Sequence, residues 1–224
     1  MTKQLFTKKQ IIESTQGINI DYTNSVFIDY EFTGTNNPYL VSLLRSGCLH
    51  TFYFEKYLFD FINQNSIKIK SAKYITKSEF KKFLKNLKIK NNQFFISWSM
   101  VDCNITNSQF EKLPWLNLKS IAKTDVSKNY IELKKELIKA DGVGKIRLNH
   151  KLEVYEKIYG ISRKDKGKAT FVTSKRKLDK IVTTQNVTLK DIKEFRNIFD
   201  SLARYNKNDV KSLYLISLKI QKSQ

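Results

Sequence analysis

The chain has 224 residues, 41% of them hydrophobic, enough to bury one full core and too many for a disordered polyelectrolyte. Its 41 Lys and Arg against 21 Asp and Glu leave a formal charge of +20, which predicts a long polyanion as partner, because neutralised phosphates release counterions. No basic amphipathic helix with a bulky apolar face stands out, no window approaches the ~20 apolar residues of a membrane span, and two Cys with two His at unrelated spacing argue against a zinc centre.

Residues 1–24 are polar and read as a lead-in, with a short extended piece at 17–21; no signal-like apolar core develops, so a soluble, cytoplasmic protein with reduced thiols is expected. The run Val26-Phe27-Ile28-Asp29-Tyr30-Glu31-Phe32-Thr33-Gly34 follows. As a β-strand it alternates faces, so Asp29 and Glu31 share one side while Ile28, Tyr30 and Phe32 take the other. Two like charges that close are costly unless a cation lies between them, so the pair points to a divalent metal; a solvated strand edge is the plainer alternative.

A turn at 33–38, a second strand at 39–44, a hairpin turn at Arg45-Ser46-Gly47 and a third antiparallel strand at 48–57 come next. Thr76 and Glu79 form a capping-box pattern ahead of a helix at about 77–88. Residues 94–101 are a continuous apolar run that reads as a strand buried on both faces, with Asp102 at its carboxyl end, where open α/β sheets place their sites. Trp98 and Trp115 read as core residues.

Helical pieces are expected around 118–121, at 130–140 with Gly142 closing it, and at 151–159. From 163 to 180 stand Arg163, Lys164, Lys166, Lys168, Lys175, Arg176, Lys177 and Lys180 against Asp165 and Asp179, a solvated loop or a phosphate grip. Thr188 and Asp191 cap a helix with the apolar stripe Ile192, Phe195, Phe199 and Leu202, and a terminal helix carries Val210, Leu213, Tyr214 and Leu218. Tyr205 and Asp209, four apart, share a helical face, where Tyr205 is either a site residue or ordinary packing.

The order Asp29-x-Glu31, Asp102, Tyr205-x-x-x-Asp209 resembles the DEDD superfamily of 3′-to-5′ exonucleases with the ribonuclease H-like fold, in the branch whose third motif is Tyr-x-x-x-Asp. Ile28-Asp29-Tyr30-Glu31-Phe32-Thr33-Gly34 is similar to the first motif, and Ser97-Trp98-Ser99-Met100-Val101-Asp102 to the second in the RNA-trimming members. Those members carry a histidine five residues before the last Asp; Arg204 stands there here, so the tyrosine variant has to serve. Phe59-Asp60 competes for the second position but follows the first motif too closely to admit an intervening strand and helix.

The resemblance implies one α/β domain over 1–224, with a mixed sheet whose first three strands are antiparallel and later ones parallel, flanked by helices, and a basic insertion at about 141–187. It implies two Mg²⁺ or Mn²⁺ ions on Asp29, Glu31, Asp102 and Asp209, with Tyr205 orienting the attacking water. It further implies contacts from Phe32 and Thr33 to the terminal nucleotide, while Arg163, Lys164, Lys175, Arg176 and Lys177 are candidates for the phosphates. The expected activity is release of nucleoside 5′-monophosphates from RNA or single-stranded DNA. A nucleic-acid-binding protein that cleaves nothing and a structure-specific endonuclease on the same fold are the rival readings.

Overall fold

A computed structural model describes residues 20–32, 37–129, 151–162 and 171–223, together with the backbone of 138–140 and 146–148. Six strands make the main sheet: β1 (Val26–Phe32), β2 (Pro38–Arg45), β3 (Cys48–Tyr53), β4 (Lys73–Tyr74), β5 (Phe95–Ser97) and β6 (Trp115–Asn117), in the order β4-β3-β2-β1-β5-β6. β1, β2 and β3 are antiparallel neighbours, whereas β1 with β5, β5 with β6, and β3 with β4 run parallel. This is the mixed α/β sheet that the ribonuclease H-like arrangement calls for, extended by β4 at one edge. The β2–β3 hairpin closes through Ser46 and Gly47, both at positive φ (46° and 79°), the geometry that matches the twist of antiparallel strands.

Seven helices lie among the described residues: α1 (Lys56–Gln64), α2 (Lys77–Asn86), α3 (Met100–Gln109), α4 (Leu118–Asn129), α5 (Leu152–Ile158), α6 (Phe171–Val182) and α7 (Leu189–Ser223). α2 starts at the expected box: Thr76 Oγ1 accepts the Glu79 N–H while Glu79 accepts the Thr76 N–H. The same exchange between Thr188 and Asp191 starts α7.

Residues on one face of β1 (Val26, Ile28, Tyr30) pack with Val41, Leu43, Phe52 and Phe95 against Phe80 and Leu84 of α2 and Ile105 of α3. The other face meets α7, in two separate apolar cores. Leu40 and Tyr53 join Leu58 and Phe61 of α1, Leu178 and Ile181 of α6, and Phe195, Phe199, Leu202 and Ala203 of α7. Phe27, Leu44, Ile96 and Leu116 join Ala122 and Val126 of α4, Tyr155 of α5, and Val210, Leu213, Ile216 and Ile220 of α7. Each of these large side chains contributes about 1.5–3 kcal/mol by leaving water.

Several sequence expectations give way. β3 stops at Tyr53 and α1 begins at Lys56, inside what reads as strand. β5 has three residues and ends at Ser97, because the Ser97 hydroxyl donates to the Ser99 carbonyl (2.6 Å) and Ser99 caps α3 by accepting the Val101 N–H (3.3 Å). Asp102 therefore sits in the first turn of α3 and not at a strand end. Of the helix expected at 130–140, the described part is β7 (Ile138–Ala140), which pairs antiparallel with β8 (Ile146–Leu148); cross-strand pairing overrides helical periodicity. α6 replaces half of the expected basic loop, since Leu178 and Ile181 give that stretch an apolar face. The two expected C-terminal helices are one helix of 35 residues, about 52 Å long at 1.5 Å per residue, with no Gly or Pro to interrupt it. Residues 1–19 and 33–36 lie outside the described residues.

Candidate metal centre

α7 crosses β1 where the helix passes from one apolar core to the other and the apolar face of β1 gives out. On β1 the change falls after Phe27, so that Asp29 and Glu31 occupy the next two positions on that face. On α7 it falls between Ala203 and Val210, and the inward positions there are Asn206 and Asp209, both buried. Asp29 and Glu31 are half-buried. One carboxylate oxygen from each of Asp29, Glu31 and Asp209 lies within 4.8 Å of the others. First strand and last helix thus deliver three acids to one point.

Asn206 bridges the strand pair. Its Nδ2 donates to Asp29 Oδ2 at 2.5 Å and lies 3.3 Å from the Asp29 carbonyl and 3.4 Å from Glu31 Oε1. The residue is fully buried, and its Oδ1 has no hydrogen-bond partner among the described residues. Beside Asp29 in the register, Ser42 is also buried and hydrogen-bonds Thr51 across the next strand pair (2.8 Å), so a polar row runs across the sheet floor.

Asp102 approaches from α3. Because β5 pairs with β1 only at Val26 and Phe27, the later edge of β1 is open, and the Tyr30 N–H donates to Asp102 Oδ1 at 3.3 Å. The Ser99 hydroxyl donates to Asp102 Oδ2 at 3.2 Å. Asp102 is buried and lies outside the set of three acids that meet within 4.8 Å, yet its charge reaches Glu31.

Burial pushes the Glu31 carboxyl up to about 8; the Asn206 hydrogen bond opposes the shift and the Asp102 charge adds to it. Burial likewise lifts Asp102 to about 6, against the Tyr30 N–H and the Ser99 hydroxyl. Carboxylates held together at such cost are the environment that a cation relieves. The donors are all oxygens, which suits a hard divalent cation, and the buried Asn206 amide lies beside them with its Nδ2 toward Asp29 and Glu31.

Tyr205 is half-buried on α7, one turn before Asp209, and Arg204 is exposed. Asp60 on α1 is bound to Lys56 at 2.7 Å and takes no part in the acid set. Phe32 packs with the core on the Ile28 and Tyr30 side of β1, away from the acids. Trp98 packs edge-on against Tyr155 (4.9 Å) and Trp115 against Phe95 (5.7 Å), as core residues do. Thr33, Arg163 and Lys164 lie outside the described residues.

Lys175 does not face solvent. It is buried, and its ammonium meets Asp179 Oδ1 and the Tyr57 hydroxyl at 2.5 Å and Glu55 Oε2 at 2.9 Å, beneath the Tyr39 ring. Neighbouring Arg176 and Lys177 are exposed. The register shift between Glu31 and Phe32 leaves Tyr39 as the extra residue on β2, and its ring joins the core under α7, where the Glu31, Glu55 and Asp179 charges all bear on it.

Asn206 is absent from the sequence reading, although a signal for it exists. On α7 the stripe Phe195, Phe199, Leu202, Ala203, Val210, Leu213 leaves two inward positions between Ala203 and Val210, and the polar residues Asn206 and Asp209 fill them. Among the described residues no helix is long and apolar enough to cross a membrane. Comparison of the chain with protein-family models, curated proteins and solved structures returns no match.

Proposed function

We propose that this chain is a metal-dependent 3′-to-5′ exonuclease of the DEDD type, acting in the cytoplasm on RNA or single-stranded DNA and releasing nucleoside 5′-monophosphates. The observation that carries the reading is the meeting of Asp29 and Glu31 with Asp209 on a mixed sheet of this order. Asp29, Glu31 and Asp209 would hold a divalent cation, and Asp102, on the side where β1 and β5 separate, would serve a second. Mg²⁺ or Mn²⁺ there would supply a water of lowered pKa and charge stabilisation for phosphodiester hydrolysis.

Tyr205, half-buried one turn from Asp209, orients the nucleophile. Before a cation binds, Asn206 bridges the two strand acids. The charge of +20 gathers the polyanionic substrate, with exposed Arg176 and Lys177 among the groups available to its phosphates.

The test is direct. With 5′-labelled single strands and Mn²⁺, the protein produces a ladder shortening from the 3′ end. Asp29→Asn and Asp209→Asn each abolish the ladder while retention on single strands changes little. Full activity in either variant, or in EDTA, refutes the assignment. Cleavage of circular substrates would replace the exonuclease with an endonuclease.

A further inference from the structure

The acids do not explain the buried amide that sits among them. Asn206 occupies a core position on α7 that Leu202 and Val210 flank with apolar side chains, and its two polar atoms fare differently. Nδ2 points into the site and contacts Asp29 Oδ2 (2.5 Å) and Glu31 Oε1 (3.4 Å), whereas Oδ1 is buried with no hydrogen-bond partner among the described residues. Such an atom calls for a reason. Turned over, the amide would set Oδ1 against Asp29 and Glu31, which repel it; with a cation between the acids the preference inverts, because the N–H groups then face positive charge and Oδ1 faces a ligand position. The change needs only a half-turn about the terminal amide torsion, which is broad and roughly two-fold.

We propose that Asn206 is a switchable member of the cation site, donating to Asp29 and Glu31 in one orientation and offering Oδ1 to the bound cation in the other. This rests on the reading of the three acids as a cation site. The NH₂ bridge and the cation compete for the same carboxylate lone pairs, so binding exchanges one for the other. The amide adds a neutral oxygen ligand to the three carboxylates without adding a fourth charge.

The test uses the full chain labelled with ¹⁵N and Mg²⁺ as the probe. The Asn206 side-chain resonance is assigned by its loss in Asn206→Leu. On Mg²⁺ addition it moves upfield in step with site occupancy, as a donor leaving a carboxylate does, and returns with EDTA. By calorimetry, Asn206→Leu binds Mn²⁺ at least about tenfold more weakly than wild type, while Asn206→Asp, which keeps the oxygen, does not lose affinity. An Asn206 resonance that stays in place while Mg²⁺ binds overturns the proposal, as does wild-type affinity in the leucine variant. If Asn206→Leu fails to fold, the resonance is assigned by its loss in Asn206→Asp, and its response to Mg²⁺ in the wild-type protein decides alone. A wild-type protein that takes up neither Mg²⁺ nor Mn²⁺ removes the underlying cation site itself, a result distinct from a bound cation with an unmoved amide.

Discussion

Replacing Glu31 with glutamine keeps the shape of the side chain and its acceptor for Asn206 but removes a charge that the fold holds at a cost. The Glu31 pKa rises from 4.5 to about 8, chiefly through burial. A carboxyl whose folded-state pKa exceeds its unfolded value supports the fold below the unfolded pKa, and that support is lost as the pH rises through the folded one. At ~1.36 kcal/mol per pKa unit, the upper bound on the loss by pH 8 is roughly 4 kcal/mol. Solvent screening of a half-buried side chain reduces it to about 1–2 kcal/mol. In a domain of this size, that is a gain of roughly 2–8 °C in Tm for Glu31→Gln at pH 8 in EDTA, and little gain at pH 5.

Thermal unfolding followed by circular dichroism measures both. In saturating Mn²⁺ the order reverses, since wild type gains binding energy that the glutamine variant lacks. A glutamine variant no more stable than wild type at pH 8 in EDTA would show that burial of the Glu31 charge carries no such cost, and would refute the reasoning.

Other outcomes follow from the same geometry. Mn²⁺ affinity increases from pH 6 to pH 8, because Glu31 at about 8 and Asp102 at about 6 must lose protons to serve a cation; calorimetry showing a flat profile contradicts this. Asp102→Ala strands the Tyr30 N–H and costs about 1–3 kcal/mol in denaturant unfolding, whereas Asp102→Asn retains an acceptor and costs much less. Lys175→Met leaves Glu55 and Asp179 uncompensated and destabilises by about 2 kcal/mol, below the figure for a fully buried pair because the Asp179 side chain is 42% exposed. Arg176→Ala and Lys177→Ala stay within ~0.5 kcal/mol of wild type in stability. Each instead lowers the salt slope of single-strand binding by about 0.7 if it contacts a phosphate.

The elements legible along the chain are those governed by neighbours a few residues away. Alternation along Val26–Phe32 placed Asp29 and Glu31 on one face, Thr76 with Glu79 and Thr188 with Asp191 marked helix starts, and Ser46-Gly47 marked a hairpin. The antiparallel-then-parallel sheet could be anticipated from the resemblance of the motifs, since three short strands joined by turns pair with each other while later strands arrive through helices. Asp209 could be singled out by its place four residues after Tyr205, but not its distance from Asp29.

Tertiary structure decided the rest. The apolar run at 94–101 is cut short at Ser97 because hydroxyl-to-backbone bonds compete with the ladder. Asp102 turns to an open strand edge, a vacancy in pairing that exists only once β5 diverges from β1. Lys175, one basic residue in a run of many, is drawn inward by Glu55, which lies far away in sequence, so charge counting could not separate it from Arg176. Asn206 is the sharpest case: residue type and local spacing make it an unremarkable helix polar group, and it acquires chemistry only where α7 crosses β1. A one-dimensional pattern reports which face a side chain takes on its own element; which charges then meet depends on how two elements cross, and that crossing is set by the two apolar cores on either side of the acids.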